Sequence, residues 1–149
     1  MRLTRAQEAT VDDVSDFLST VLPLMRDEVV GLHSGKPETR LAVWSHTEPV
    51  TLFGAEMSRR GWEQLEPAFE GLAASFSGSE AFENEVLAAG VDGNLGYVVA
   101  IEHSTASRRG GAPTTYALRV TTVFRREDGD WKIVHRHGDG YRDQLLLPG

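Results

Sequence analysis

Apolar positions in the first third of the chain recur with helical spacing. Val14, Phe17, Leu18, Val21, Leu22 and Met25 fall at i, i+3, i+4 and i+7 intervals and share one helix face. Thr4, with Gln7 three residues later, fits a capping box ahead of it. Pro23 has no N–H to donate, so it is expected to kink this helix or split it in two. The run His33-Ser34-Gly35-Lys36-Pro37 ends it, and a short helix is expected from Glu38 to Trp44. Glu48 to Phe53 reads as a short strand, because Val50, Thr51, Leu52 and Phe53 favour extended backbone. A turn from Gly54 to Gly61 leads to a second amphipathic helix carrying Trp62, Leu65, Phe69, Leu72, Ala73 and Phe76. Pro67 predicts an irregular first turn there, and Ser77-Gly78-Ser79 predicts its end. Beyond Phe82 the pattern becomes that of strands, expected near 82–91, 95–107, 114–126 and 131–139. Their connections, Asp92-Gly93-Asn94, Arg109-Gly110-Gly111-Ala112-Pro113 and Glu127-Asp128-Gly129-Asp130, carry turn chemistry.

Helices, a short strand, a helix and then an antiparallel meander make an α+β chain, with helices packed on one face of a curved sheet. No repeat, low-complexity tract or linker interrupts it, so residues 1–149 read as a single domain. The chain has no cysteine, which excludes a disulfide scaffold, a thiolate nucleophile, a Cys-ligated zinc site and an iron–sulfur cluster. Its net charge of −7 would repel a nucleic-acid backbone, and its only basic pairs are short and scattered. No apolar run approaches the roughly 20 residues of a membrane span. Met1 to Glu8 lacks the apolar core of a signal peptide, so a cytoplasmic protein is expected.

Three segments carry a family resemblance. They are Trp44-Ser45-His46-Thr47-Glu48-Pro49-Val50-Thr51-Leu52-Phe53-Gly54, followed by Gly61-Trp62 opening a helix; Arg119-Val120-Thr121; and Asp128-Gly129-Asp130-Trp131-Lys132-Ile133-Val134-His135-Arg136-His137. Together with the element order they resemble the SnoaL-like branch of the nuclear transport factor 2-like fold. The last segment is also similar to the hub domain of calcium/calmodulin-dependent kinase. The resemblance implies a cone-shaped curved antiparallel sheet with N-terminal helices over its concave face, a deep pocket between them, and commonly a homodimer. The fold hosts isomerases, cyclases, dehydratases, epoxide hydrolases and assembly modules, so it does not fix an activity. Ketosteroid isomerases of this fold carry a carboxylate base on the strand before the Gly-started helix. Here that stretch is Leu52-Phe53-Gly54 with no acid, and Glu48 and Glu56 lie off register. The departure argues against proton abstraction from this strand.

The candidate chemistry lies mostly on the strands. His135 and His137 are two apart on a strand and share a face, which Asp139 continues. Such a trio suits acid/base work, a metal, or plain bonding to neighbours. A metal site needs three or four convergent ligands, and none is assigned. His137 and Asp139 are the proton-transfer candidates, and His135 a ligand contact. Their neighbours depend on one turn. A two-residue Asp128-Gly129 loop sets Thr122 opposite His135 and Val120 opposite His137. A three-residue loop with Gly129 in a bulge sets Thr121 opposite His135 and Arg119 opposite His137. The second gathers Arg119, Thr121, His135 and His137 on one polar face and is the register adopted here. Arg119 is then an anchor for an anion or a stabiliser of developing negative charge, or else the ion-pair partner of Glu102 or Asp139, or plainly exposed on the sheet's outer face. Glu102 follows the apolar run Val98-Val99-Ala100-Ile101. It reads as an acid/base or ligand contact in an apolar wall, or as the partner of an arginine, and only one of Glu102 and His103 can look into the cone. His46 either contacts a ligand at the pocket mouth or caps a helix end. Trp62 and Tyr97 either stack on a ligand or belong to the core. The serines show no order suggesting a nucleophilic triad. The sum is a homodimeric protein that binds a small organic molecule bearing an anionic or carbonyl group. Any catalysis expected is cofactor-free isomerisation, cyclisation or dehydration; the alternative is a non-catalytic ligand-sensing or oligomerisation module.

Overall fold

The computed structural model describes residues 11–54 and 56–141, so the Thr4–Gln7 capping box lies outside the described residues. Helix α1, Val11–His33, is one uninterrupted element despite Pro23. Phe17, Val21, Met25, Val29 and Leu32 are all buried on its inner stripe, and the exposed Pro23 ring faces away from it. Packing on both sides of the proline thus overrides its local cost. The helix ends where expected. Gly35 takes φ +82°, its N–H donates to Leu32 O, and Lys36 N–H donates to Gly31 O, the paired closure of a Schellman cap. Helix α2, Glu38–Val43, follows.

Strands β1, Thr51–Phe53, and β2, Ser58–Arg60, form a short antiparallel hairpin; β2 falls where a turn was expected. Nothing in Ser58-Arg59-Arg60 alternates in polarity, and all three are exposed, so the sequence carries no strand signal there. Helix α3, Trp62–Ala74, buries Leu65, Phe69 and Ala73. Its first turn is closed from outside, Trp62 N–H donating to Glu48 Oε2 at 2.7 Å. Phe76, which fits the helical spacing, instead opens strand β3, Phe76–Asp92. Strands β4, Leu95–Arg108, β5, Pro113–Glu127, and β6, Asp130–Gly140, complete the meander.

The result is α+β: N-terminal helices over one face of a curved, unclosed six-stranded sheet of order β2-β1-β6-β5-β4-β3. All pairs are antiparallel except β1 with β6. The core lies between helices and sheet. Phe17 meets Phe124 and Trp131 edge-on, with ring centroids 5.6 and 4.9 Å away.

The β5–β6 register differs from both turn readings. Asp128 and Gly129 form the two-residue turn, with φ 51° and 86°, and Glu127 faces Asp130. The ladder then slips between Phe124↔Ile133 and Val123↔His135, leaving Val134 as the extra residue of a bulge. Thr121 therefore faces His137, and Arg119 faces Asp139. The bulge sits mid-strand at a valine, without the glycine that would have announced it. It reverses the facing of β6: Trp131 and Ile133 point inward before it, Arg136 and Gly138 after it.

Gly96 lies under the Phe17 ring, and a Cβ there would stand 2.6 Å from Phe17 Cζ. Phe17 is held by two other rings and cannot swing aside. Gly96→Ala should therefore cost about 1–3 kcal/mol in urea denaturation. Gly71→Ala, on α3 with no atom within 4 Å of the new Cβ, should add roughly 0.5–1 kcal/mol. Equal effects at the two sites would contradict this packing.

Candidate functional site

The inward facing of Arg136 creates a buried, two-bonded ion pair. Its Nη1 and Nη2 donate to Glu102 Oε2 and Oε1 at 2.8 and 2.9 Å, and both residues are buried. Burial alone would raise the Glu102 pKa, but the Arg136 charge and hydrogen bonds outweigh it and hold the carboxyl below its ordinary value. Arg136 in turn stays charged, since Glu102 offsets its own desolvation. A second buried pair joins α1 to α2: Arg40 Nε and Nη2 donate to Glu28 Oε1 and Oε2 at 2.8 and 3.0 Å.

Beside these pairs lies a cavity of about 300 Å³. Its apolar wall includes Val29, Leu32, Leu52, Leu72, Phe76 and Leu118, and its polar residues include His33, Tyr116, Glu102 and Arg136. Glu56 and Arg108 are exposed and mark the opening. At the polar side, Tyr116 Oη and His33 Nε2 are hydrogen-bonded at 2.5 Å. Burial first, then the nearby Arg40 charge, lowers the His33 pKa to about 4, so the ring is neutral at physiological pH. Burial, then Glu102, raises the Tyr116 pKa, so the phenol keeps its proton. His33 Nδ1 is buried without a partner. With Nε2–H donating to Oη, the Tyr116 proton is left for another acceptor, and the buried Ser104 hydroxyl, which also hydrogen-bonds the phenol, competes for it. With Tyr116 donating to Nε2, Nδ1–H is the unpaired group.

This arrangement can bind and polarise. A tyrosine kept protonated is a hydrogen-bond donor, whereas a histidine with a pKa of about 4 is a weak base. Both buried carboxylates are gripped by arginines and have no free role as proton acceptors. Among the described residues, no group of three or more His, Asp or Glu is arranged to hold a metal ion.

Of the residues singled out in the sequence, Glu102 lines the cavity as an arginine's partner, and His103 points outward to Glu85 Oε1 at 2.9 Å. Arg119, His135, His137 and Asp139 do gather on one face with Thr121, but it is the outer one. There Arg119 Nε donates to Asp139 Oδ1 at 3.0 Å, His137 Nε2 lies 3.9 Å from Asp139 Oδ2, and His135 Nδ1 is 2.7 Å from Thr51 Oγ1. Arg119, His137 and Asp139 are about half exposed. Tyr97 is also on the outer face, its ring lying over Gly90, where a Cβ would meet it at 2.6 Å. His46 Nε2 is 2.7 Å from Leu41 O near the end of α2, and its ring stacks on Trp62 at 3.8 Å. Neither His46 nor Trp62 lines the cavity.

Sequence reasoning passed over His33, Tyr116, Glu28, Arg40, Arg108 and Arg136. For Glu28 a signal exists: it falls on the α1 stripe between Met25 and Leu32, and a charge on an apolar stripe needs a buried partner. Arg136 stands between the two histidines that drew attention, and only the bulge decides which of them faces inward.

The profile of the SnoaL-like domain matches residues 6–138. Solved structures agree on the fold. A nuclear transport factor 2-like superfamily protein from Salmonella enterica subsp. enterica serovar Typhimurium str. LT2 is 20% identical, with a TM-score of 0.71 over 85% of this chain and 92% of that one. A nuclear transport factor 2-like protein of unknown function from Pseudomonas putida KT2440 is 15% identical, with a TM-score of 0.69 over 95% and 96%. A ketosteroid isomerase-like protein from Erwinia carotovora atroseptica SCRI1043 is 12% identical, with a TM-score of 0.66 over 88% and 97%. No curated protein matches the sequence.

The Glu102–Arg136 pair yields a direct test. Arg136→Met should cost about 3–5 kcal/mol by stranding a buried carboxylate, and adding Glu102→Leu should recover most of that loss. Chemical denaturation of the three proteins measures both steps. A double variant no more stable than the single one would contradict the account.

Proposed function

This chain belongs to the SnoaL-like domain family, and on that premise we propose that it binds one small organic molecule in the cavity beneath α1 and α2. There it polarises an oxygen of that molecule without a cofactor, the opening step of an isomerisation, cyclisation or dehydration. The observation that carries the reading is the Tyr116–His33 pair on the polar side of the cavity, across from its apolar wall. With His33 Nε2–H donating to Tyr116 Oη, the phenol proton points to a carbonyl or hydroxyl oxygen and stabilises negative charge developing on it. Arg136 and Glu102 hold the polar wall in place. The proposal takes residues 1–149 as one domain working in the cytoplasm. It includes no nucleic-acid partner, for which the net charge of −7 is the support. Among the described residues no helix is long and apolar enough to cross a membrane.

A second reading concerns the outer face. Phe53, Leu87, Leu95 and Tyr97 are exposed there, and Phe53 stands between the His135 and His137 rings, 5.5 Å from each. We propose that this face, with Arg119, His135, His137 and Asp139, joins two copies as a homodimer and does no proton transfer.

Small cyclic and aryl ketones, screened by thermal shift and titrated by calorimetry, test the cavity. A binder should raise Tm, and Tyr116→Phe should weaken it about three- to tenfold. The matching hydrocarbon should be unaffected by that change. Equal loss for ketone and hydrocarbon, or no loss for either, would contradict the assignment. Sedimentation of the same samples should give a dimer, and a monomer at micromolar concentration would end the second reading.

A further inference from the structure

The charges around the cavity are not balanced. Three arginines, Arg40, Arg108 and Arg136, line it against two glutamates, Glu56 and Glu102. Arg40 and Arg136 are each taken up by a buried carboxylate. Arg108 is different. Among the described residues no carboxylate lies within ion-pair distance of it. Its guanidinium is nevertheless fixed: it lies over the Phe76 ring, 4.3 Å from the centroid, and Nη1 donates to Ser75 Oγ at 3.2 Å. A cation held in position, with its remaining donors unfilled and its side chain forming the cavity rim, is arranged as a fork for a carboxylate. Its field also reaches the polar wall, since it acts on both His33 and Tyr116. Glu56, also on the rim, disfavours a second negative charge on the ligand.

Resting on the cavity reading above, we infer that the ligand is a small monocarboxylic acid with a mainly apolar body. Its carboxylate sits on Arg108 at the opening. Its body lies against Leu32, Leu72, Phe76 and Leu118. A hydroxyl or keto oxygen further along the body accepts the Tyr116 proton. Arg108 thus determines specificity for an anion, while Tyr116 reads the second oxygen.

Isothermal titration of the full chain with phenylacetate, hydrocinnamate and octanoate, each beside its primary amide, tests this. Acid and amide share shape and differ in charge. In at least one pair the acid should bind about tenfold more tightly, the gap between a charge-assisted and a neutral hydrogen bond. Arg108→Gln should bring the acid down to its amide, and Arg108→Lys should keep part of the preference because it retains the charge without the fork. Amides that match their acids in every pair would overturn the inference, as would a preference that survives Arg108→Gln. A loss shared equally by acid and amide would overturn it too, making Arg108 a structural residue. Binding of neither acid nor amide also overturns it. The ketone titrations decide the cavity reading independently, so the two can fail separately.

Discussion

Glu102 and Arg136 sit on β4 and β6 with β5 between them, yet meet in two hydrogen bonds inside the protein. Two charges in that interior are tolerable only together. Either one alone would strand a desolvated ion at a cost of several kcal/mol. Their meeting requires both strands to turn these residues inward, which the Val134 bulge achieves on β6. One irregularity thus decides that Arg136 faces the helices and that His135 and His137 face away. The Glu28–Arg40 pair applies a similar constraint between α1 and α2. Sheet register and helix docking are therefore set by the same requirement, that every buried charge find its partner.

The same requirement shapes the chemistry. Carboxylates gripped by arginines are not available as bases, which leaves Tyr116 and His33 as the adaptable polar groups of the inner wall, with Arg108 and Glu56 at the rim. Burial keeps His33 neutral and Tyr116 protonated, so the pair carries one proton more than the hydrogen bond between them uses. The departure from ketosteroid isomerases in Leu52-Phe53-Gly54 agrees with this, since Leu52 is buried in the wall and brings no acid to it. The result is a cavity with an apolar wall, a hydrogen-bonded polar wall and a charged rim at its opening.

Much of the fold was legible because its signals are periodic. The α1 stripe, the Gly35 stop and the α3 stripe as far as Ala73 each follow a local rule, and the structure obeys them. The local cost of Pro23 gives no sign of the packing of Val21 and Met25 on either side, which keeps the helix continuous. The site was less legible. Arg119, Thr121, His135 and His137 do share one face, but through the Val134 bulge and not through the three-residue turn expected, and alternation cannot say which face is concave. A mid-strand bulge without glycine leaves no mark in the sequence, and it hid Arg136 in plain view between two histidines. His33 read as part of a helix stop because its partner, Tyr116, is 83 residues away. Glu102 was legible in kind, as a carboxylate in an apolar wall that needs an arginine, though not in the identity of that arginine.

Nitrogen-15 NMR of labelled imidazole rings reads the ionisation of His33, on which the polar wall of the cavity turns. A folded pKa of about 4, below the ordinary 6.5, means that the unfolded chain takes up a proton first as pH falls. The His33 contribution to stability is thus whole above pH 6.5 and lost progressively toward pH 4. The His33 ring should stay neutral, with one tautomer dominant, from pH 8 down to about 5. A His33 that protonates near 6.5 in the folded protein would contradict it, because the cavity would then carry an ordinary exposed base in place of a neutral, buried hydrogen-bond partner for Tyr116.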